Sequence, residues 1–255
     1  MLLAIDIGNS TCVVGFFQGD KLLYTYSIRT DYGHSISEIS SSFSLFLKDK
    51  GIKKEQFEGA ILSSVVPSLE KIWVTLMKSE YGVRVFVLGP KLKTGLLIKT
   101  ENPKEVGADL IADAVKVKDL YGKDTLIVDM GTANKIILLG SDGSFEGCTI
   151  GVGLGISAKA LASGTSLLPE VNFDIPSKVL GRNTADSMNS ALTYGVSEEI
   201  KGLCALIEKE VGRPLKRVLT GGYARYVLSL LPEFDYYPTL LLEGLKLVYE
   251  RNARS

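Results

Sequence analysis

The 255-residue sequence has few of the residues from which covalent and metal-bound sites are usually built. Its three cysteines are far apart and form no Cys-x-x-Cys pair, and its single histidine, His34, lies in a Gly/Ser loop. A disulfide framework, a zinc centre and a histidine-based catalytic triad are therefore not expected. We expect the cysteines to be buried thiols of a protein in a reducing cytosol.

Charge and hydropathy argue against several classes of partner. Lys+Arg and Asp+Glu are balanced at 29 each, so the net charge gives no reason to expect nucleic acid or an anionic membrane surface as a partner. There is no run of about 18 apolar residues. The first apolar stretch lacks a basic segment and is interrupted by Asp6, so neither a membrane span nor a signal peptide is expected. We expect a cytoplasmic protein.

Two common nucleotide-binding motifs are also absent. No G-x-x-x-x-G-K-[ST] sequence occurs, so the chain is not a P-loop protein. In the glycine-rich stretch 147–161, Ile156 stands where a G-x-G-x-x-G motif needs its last glycine. That stretch still has Gly151 and Gly153 just before a predicted helix, where backbone N–H groups and the helix dipole favour an anion.

What the sequence does contain is a repeated acidic hairpin. In 2-LLAIDIGNSTCVVGFFQ-18, Asp6 and Gly8 lie between two apolar strands. The stretch 125-TLIVDMGTANKIILL-139 repeats the pattern, with Asp129 following Asp6 by 123 residues and Gly131 aligned on Gly8. The same offset aligns the pair Val13-Val14 on Ile136-Ile137. We predict two copies of one βββαβα unit, at residues 1–121 and 122–255, facing each other across a cleft.

Hydrophobic periodicity and end signals predict the elements of the two copies. Strands are expected at 2–7, 11–18, 21–29, 57–66, 84–89, 125–130, 134–140, 144–150 and 216–220. Helices are expected at 35–51, 69–81, 102–121, 154–164, 185–211, 221–230 and 239–252. The helix at 102–121 has Asn102 as its expected N-cap.

The hairpins have the chemistry of a phosphate site. Glycine permits a tight turn and close approach to a ligand, and the groups after Gly8 that can donate to phosphate oxygens are those of Asn9, Ser10 and Thr11. Asp6 suits such a site if a divalent cation lies between carboxylate and phosphate. The second hairpin offers Asp129, Gly131 and Thr132. Either hairpin alone is explained by a tight turn with polar caps. The repetition of the motif, however, favours phosphate binding.

One acid of the predicted helix at 102–121 is a candidate general base. Glu105, Asp109 and Asp113 would lie on one helical face. For Glu105 and Asp113 the simplest interpretation is that this face is exposed to solvent. Gly107 lowers helix propensity beside Asp109, so it can admit a ligand there. Asp109 can then accept a proton from a hydroxyl nucleophile.

A set of motifs spread through nearly the whole chain resembles the type III pantothenate kinases, of the acetate kinase/sugar kinase/Hsp70/actin superfamily. They are DIGNS at 6–10, SSVVP at 63–67, LGPKLKTGL at 88–96, ENPKEVGAD at 101–109, DMGTA at 129–133, TSLLPEV at 165–171, LGRNT at 180–184 and TGG at 220–222. The resemblance implies an α/β fold of two RNase H-like domains related by duplication, with the active site between them. It also implies ATP as donor, pantothenate as acceptor, a homodimer, Mg²⁺ or another divalent cation, and a monovalent cation, K⁺ or NH₄⁺.

The resemblance also implies roles for individual residues. The first phosphate motif is Asp6, Gly8 and Asn9, and the second is Asp129, Gly131 and Thr132, with Asp129 also a ligand of the monovalent cation. Asp109 would be the catalytic base. Gly107 falls in the pantothenate motif, and Thr184 resembles a substrate contact supplied by the partner subunit.

Three departures from the family pattern leave alternatives open. Leu110 stands where the family has Arg, Thr100 where it usually has Tyr, and Asn134-Lys135 where it has Thr-Thr. A leucine cannot grip an anion as a guanidinium does. The chain is interpreted as an active kinase, because Asp6, Asp109 and Asp129 are kept. Two alternatives stay open. The chain is a catalytically impaired homologue that binds nucleotide or has a regulatory role, or it is a kinase for another small acceptor.

Overall fold

The computed structural model describes residues 1–253, which form two compact units. The first comprises Met1–Leu96, Glu101–Asp119 and residues 239–253, and the second comprises Leu97–Thr100 and Leu120–Pro238. The units are discontinuous in sequence because the C-terminal helix packs on the first sheet. The division of the chain into two copies after residue 121 stays a prediction.

The elements follow most of the predicted segments closely. The strands are β1 (Leu2–Ile7), β2 (Thr11–Gln18), β3 (Lys21–Arg29), β4 (Gly59–Ser64), β5 (Val85–Val87), β6 (Thr125–Met130), β7 (Ala133–Leu139), β8 (Phe145–Val152), β9 (Lys216–Thr220) and β10 (Asp235–Tyr236). The helices are α1 (Ile36–Asp49), α2 (Pro67–Ser79), α3 (Ala108–Tyr121), α4 (Leu154–Gly164), α5 (Thr184–Ser190), α6 (Val196–Val211) and α7 (Leu240–Ala253). Within residues 1–253, no helix is both long and apolar enough to cross a membrane.

The two sheets have the same topology. The order is β3-β2-β1-β4-β5 in the first unit and β8-β7-β6-β9-β10 in the second. In each, the central strand is antiparallel to the second strand of its hairpin and parallel to the strand on its other side. Each third strand also skips one residue, Leu23 in β3 and Glu146 in β8. The predicted pair of RNase H-like units related by duplication is confirmed.

The alignment of the second strands in the repeat was wrong by one residue. Residues 8–10 connect β1 to β2, but only residues 131–132 connect β6 to β7. Because the second turn is one residue shorter, the residue opposite Asp6 is Val13, whereas the residue opposite Asp129 is Lys135. Strand pairing therefore brings a lysine to the position that an ungapped alignment gives to an isoleucine.

Helices cover both faces of the first sheet. On one face, Phe43 of α1 and Trp73 of α2 pack on the cluster that contains Phe16 of β2, and the Phe43 and Trp73 rings are in T-shaped contact at 5.5 Å. On the other face lie Leu245 and Val248 of α7. Alternate residues of β1 belong to the two clusters, which explains why that strand is almost continuously apolar.

The second sheet packs on the long helical stretch that follows residue 183. Leu126 and Val128 of β6 share a buried cluster with Ile200 and Cys204 of α6. The single helix predicted at 185–211 is α5 and α6 joined by one π-helical turn, Ala191–Gly195. The apolar side of this stretch carries the packing, as its periodicity predicts.

The helix predicted at 102–121 is broken in the structure. Pro103–Glu105 forms a 3-10 turn, and α3 begins only at Ala108. Asn102 does not cap a helix, since its side-chain amide donates a hydrogen bond of 2.6 Å to the carboxylate of the turn's last residue. Gly107 lies at the break, where its low helix propensity favours an interruption.

The acidic face predicted for that helix is wrong for the same reason. Glu105 belongs to the 3-10 turn and not to α3, so it is not in line with Asp109 and Asp113 on one helix. Asp113 has no exposed surface, although a solvated position was expected. A carboxylate at such a position has to be satisfied by groups of the protein itself.

Two further predictions need correction. The segment 221–230 forms two 3-10 turns, Ala224–Tyr226 and Leu228–Leu230, in place of a helix. The third cysteine, Cys148, is exposed, whereas the other two are buried as expected. It lies on the edge strand β8, where alternate side chains face away from the core.

Candidate active site

The first hairpin holds its acid by a hydrogen bond from the neighbouring parallel strand. Asp6 lies near the end of β1, directly in register with Ser63 of β4, and the Ser63 hydroxyl donates to Asp6 Oδ1 at 2.6 Å. The Gly8 amide donates to the Thr11 carbonyl at 3.1 Å, and a Cβ on Gly8 would lie 3.1 Å from that oxygen. The turn is therefore too tight for an ordinary side chain to fit without a shift.

The loop after this acid is anchored by Thr30, the residue that follows β3. The Thr30 hydroxyl donates to the Gly8 carbonyl at 2.6 Å, and the Thr30 amide donates to the Ser10 carbonyl at 3.0 Å. Asn9, Ser10 and Thr11 are exposed, and Asn9 Oδ1 accepts a hydrogen bond from the Tyr32 hydroxyl at 3.2 Å. These are polar groups held on a fixed backbone, as a ligand-binding turn requires.

The second hairpin has a tighter turn and a lysine beside its acid. The Gly131 amide donates to the carbonyl of Ala133, the first residue of β7, at 3.1 Å, just as the Gly8 amide donates to the carbonyl of Thr11, the first residue of β2. Asp129 is buried near the end of β6, and Lys135 Nζ lies 2.7 Å from its Oδ2 atom. The acid of the first hairpin accepts a hydroxyl hydrogen bond, and that of the second forms an ion pair.

Two distant glycines converge on the turn of the second hairpin. A Cβ on Gly153, the residue before α4, would lie 2.1 Å from the Thr132 carbonyl oxygen. Gly221 has a φ of +95°, and a Cβ there would lie 2.5 Å from the backbone of Met130. The Tyr223 amide also donates to the Met130 carbonyl at 3.0 Å. The turn therefore lies against the first residues of α4, whose backbone N–H groups favour an anion.

Asp109 lies in the first turn of α3, half-buried. A Cβ on Gly107 would lie 2.4 Å from Asp109 Oδ1, so the glycine leaves the space in which the carboxylate sits. Leu110, beside it, is buried. The role of Gly107 in this structure is thus steric, since it permits one position of the Asp109 side chain.

Comparison with known proteins decides the family. The model of the type III pantothenate kinase family matches residues 2–206. A type III pantothenate kinase of Myxococcus xanthus is 37% identical over the full length of both chains, and one of Moorella thermoacetica is 34% identical over 99% of this chain and 100% of that protein. This chain belongs to the type III pantothenate kinase family.

A solved structure extends the likeness to the fold. A conserved Baf family protein from Campylobacter jejuni superposes with a TM-score of 0.60 at 21% identity, covering 99% of this chain and 100% of that one. This similarity over the whole of both chains shows that they share a fold. It agrees with the two RNase H-like units found in the present chain.

The remaining positions implied by the family lie in both units. Gly107, Asp109 and Leu110 belong to the first unit, and Thr100 and Thr184 belong to the second. Thr100 follows a segment that runs beside β8, and its buried hydroxyl has no hydrogen-bond partner among residues 1–253. Thr184 is exposed as the first residue of α5. Thr184 is thus at the surface, whereas the Thr100 hydroxyl is enclosed by the protein.

The two buried cysteines of this pantothenate kinase family member, Cys12 and Cys204, are poor nucleophiles because their thiols stay protonated. Burial raises the pKa of Cys204 to about 12 and that of Cys12 far above its usual value, with the Asp6 charge adding to the latter. Among residues 1–253, no group of three or more His, Cys, Asp or Glu side chains could hold a metal ion.

Proposed function

We propose that this chain phosphorylates pantothenate with ATP, producing 4'-phosphopantothenate in the first step of coenzyme A biosynthesis. The observation that carries the proposal is the full-length similarity to type III pantothenate kinases. In this proposal the working acids are Asp6, Asp109 and Asp129. Nothing favours an impaired homologue or another acceptor over this function. We also propose that the enzyme is cytoplasmic, as a biosynthetic kinase of soluble substrates would be.

The two hairpins would bind the phosphates of ATP. In the first, the donors are backbone N–H groups after Gly8 and the exposed side chains of Asn9, Ser10 and Thr11. In the second, they are the turn at Gly131 and Thr132 and the start of α4 that lies against it. Both turns are braced by hydrogen bonds of the protein itself, so little reorganisation would accompany binding.

Asp6 fits a divalent cation. Mg²⁺ in phosphoryl-transfer sites is usually held by one or two carboxylates, with water and substrate phosphates completing its shell. The half-buried Asp6 carboxylate, oriented by the Ser63 hydroxyl, has the donor chemistry for this, directly or through water. Such an ion would neutralise charge on the phosphates when bound.

Asp109 would act on the acceptor. Its carboxylate would orient the hydroxyl of pantothenate and take its proton as the oxygen attacks the γ-phosphoryl group in line. Gly107 would keep the carboxylate in position, and Thr100 and Leu110 would line the acceptor site. Thr184 would contact the acceptor bound to the partner subunit. Little covalent chemistry is asked of the protein, since positioning supplies most of the rate.

The test is an assay of the purified chain with ATP, a magnesium salt and KCl or NH₄Cl, with and without pantothenate. We expect ADP release that depends on pantothenate and a product with the mass of 4'-phosphopantothenate. Nucleotide binding without turnover on any acceptor would instead identify an impaired homologue. Turnover with a sugar or acetate alone would identify a different acceptor.

We propose a homodimer that uses the exposed half of β8. Ile150 and Val152 lie on this edge strand with 69% and 59% of their surface exposed, and apolar side chains at an exposed sheet edge are typical of an interface. Light scattering should give twice the mass of one chain. Ile150→Asp is expected to yield monomers, whereas Leu206→Asp, at an exposed leucine of α6 in the same unit, should remain dimeric. A monomeric wild type would contradict this proposal.

A further inference from the structure

The second hairpin carries an ion pair at the carboxylate to which the family resemblance assigns a monovalent cation. Lys135 and Asp129 face each other across the antiparallel pair β6–β7. Their charged atoms are 2.7 Å apart, and their side chains are only 16% and 10% exposed. The strand register therefore holds a positive charge next to this acid.

The first hairpin does not place a lysine opposite its acid on the neighbouring antiparallel strand. There the residue opposite Asp6 is the apolar Val13, and the Ser63 hydroxyl donates a hydrogen bond to Asp6 Oδ1. In both hairpins the turn glycine donates its amide to the carbonyl of the first residue of the next strand, although the second turn is one residue shorter. The lysine opposite the acid is thus particular to the second hairpin, where it is the third residue of β7 after the turn at Gly131 and Thr132.

The residues present do not fit an additional monovalent cation at this carboxylate. Potassium and ammonium ions bind to negative or neutral oxygen atoms, and Asp129 Oδ2 already receives an ammonium group at contact distance. A second cation on the same carboxylate would lie within a few ångströms of Lys135 Nζ. Repulsion between like charges is strong where both are mostly removed from water.

We propose that Lys135 replaces the monovalent cation. Its tethered ammonium group has the single positive charge of K⁺ or NH₄⁺ and supplies it beside Asp129, at the base of the turn that would bind phosphate. The inference rests on the proposed kinase function. Its consequence is that phosphoryl transfer by this chain does not depend on K⁺ or NH₄⁺.

The position of the lysine suits this role chemically. An ammonium group donates up to three hydrogen bonds, so one can go to Asp129 while the others satisfy nearby oxygens. Because the charge is attached to β7, the site is filled at any salt concentration. A neutral side chain at position 135 would instead leave Asp129 as a buried carboxylate in need of a cation, which an external ion can then provide.

The experiment compares wild type with Lys135→Thr in ADP-release assays. Buffers contain tetramethylammonium as the only bulk monovalent cation, or that buffer supplemented with KCl or NH₄Cl. We expect the wild-type rate to change by less than about twofold, and Lys135→Thr to be slow until either salt raises its rate roughly tenfold or more. Lys201→Thr, which removes an exposed lysine paired with Glu198 in the same unit, should behave as wild type in every buffer.

Thermal melting without nucleotide gives a second readout. The melting temperature of Lys135→Thr should rise with added KCl relative to tetramethylammonium chloride, whereas that of wild type should not. Lys135→Gln, which keeps the length of the side chain without its charge, is used in the same way if the threonine variant does not fold. This readout applies even if no acceptor is turned over.

The outcomes separate this inference from the proposed function. A wild type that phosphorylates pantothenate only when K⁺ or NH₄⁺ is present overturns the inference and leaves the kinase intact. Loss of activity in Lys135→Thr that neither salt restores also overturns it, because the lysine then serves only as a structural ion pair. A wild type with no turnover on pantothenate overturns the proposed function, and potassium-dependent melting of the variants then decides the inference.

Discussion

Asp109→Asn is expected to lower kcat about 10²–10⁴-fold, the usual contribution of a general base. Asparagine has almost the same size and keeps an acceptor oxygen, but it cannot take the proton of the attacking hydroxyl. Asp109 lies in the first turn of α3 and is only half-buried, so the change should cost little stability. Steady-state kinetics with pantothenate as the varied substrate would measure the effect.

Two further variants show whether the effect comes from the carboxylate and its position. Asp119→Asn changes an exposed acid in the last turn of the same helix and should leave kcat unchanged. Gly107→Ala would bring a Cβ to 2.4 Å from Asp109 Oδ1 and should lower kcat by moving the carboxylate, with little change in melting temperature. If Asp109→Asn retains wild-type kcat within about threefold, the base has been misassigned.

Gly153→Ala should disturb both the stability and the nucleotide site of the second unit. The new Cβ would lie 2.1 Å from the Thr132 carbonyl and 2.6 Å from that of Gly131. These are backbone atoms that cannot rotate away, so α4 or the turn must move. Overpacking of this kind costs roughly 1–3 kcal/mol, and the displaced turn should raise the KM for ATP. Denaturant unfolding and ATP titrations would report the two effects separately.

Gly164→Ala is the matched control for this prediction. Gly164 is the last residue of the same helix, and a Cβ there meets nothing within 4 Å. Alanine should therefore be neutral or slightly stabilising, because it reduces the freedom of the unfolded chain. A Gly153→Ala protein with the stability and ATP affinity of the Gly164→Ala protein would show that the turn and α4 are not closely packed in solution.

The leucine at position 110, where the family resemblance implies an arginine, does not by itself argue against activity. Leu110 is buried with 5% of its surface exposed, so its side chain contributes to packing of the protein interior. The three acids assigned to the site are kept, and each lies on a regular element near its end. Without a guanidinium at position 110, the KM for pantothenate is expected to be higher than in a kinase that has an arginine there. A titration of the wild type with pantothenate would measure it.

Local sequence patterns alone determined most of the secondary structure and the repeated hairpins. Apolar strands bounded by glycine are short-range signals, and they located β1, β2, β6 and β9 to the residue. The acid and glycine of each hairpin followed from the same patterns. The family followed from motifs quoted in order along the chain. None of these inferences required knowledge of which distant residues meet.

Only the tertiary structure decided how those residues are arranged. The shorter second turn brought Lys135 opposite Asp129, and long-range packing brought Gly153 and Gly221 onto residues 130–132. The break at Gly107 and the packing of α7 on the first sheet were likewise absent from local periodicity. The physical reason is that strand register and close backbone contacts depend on pairing between segments far apart in sequence, whereas a local pattern reports only the few residues within one turn or strand.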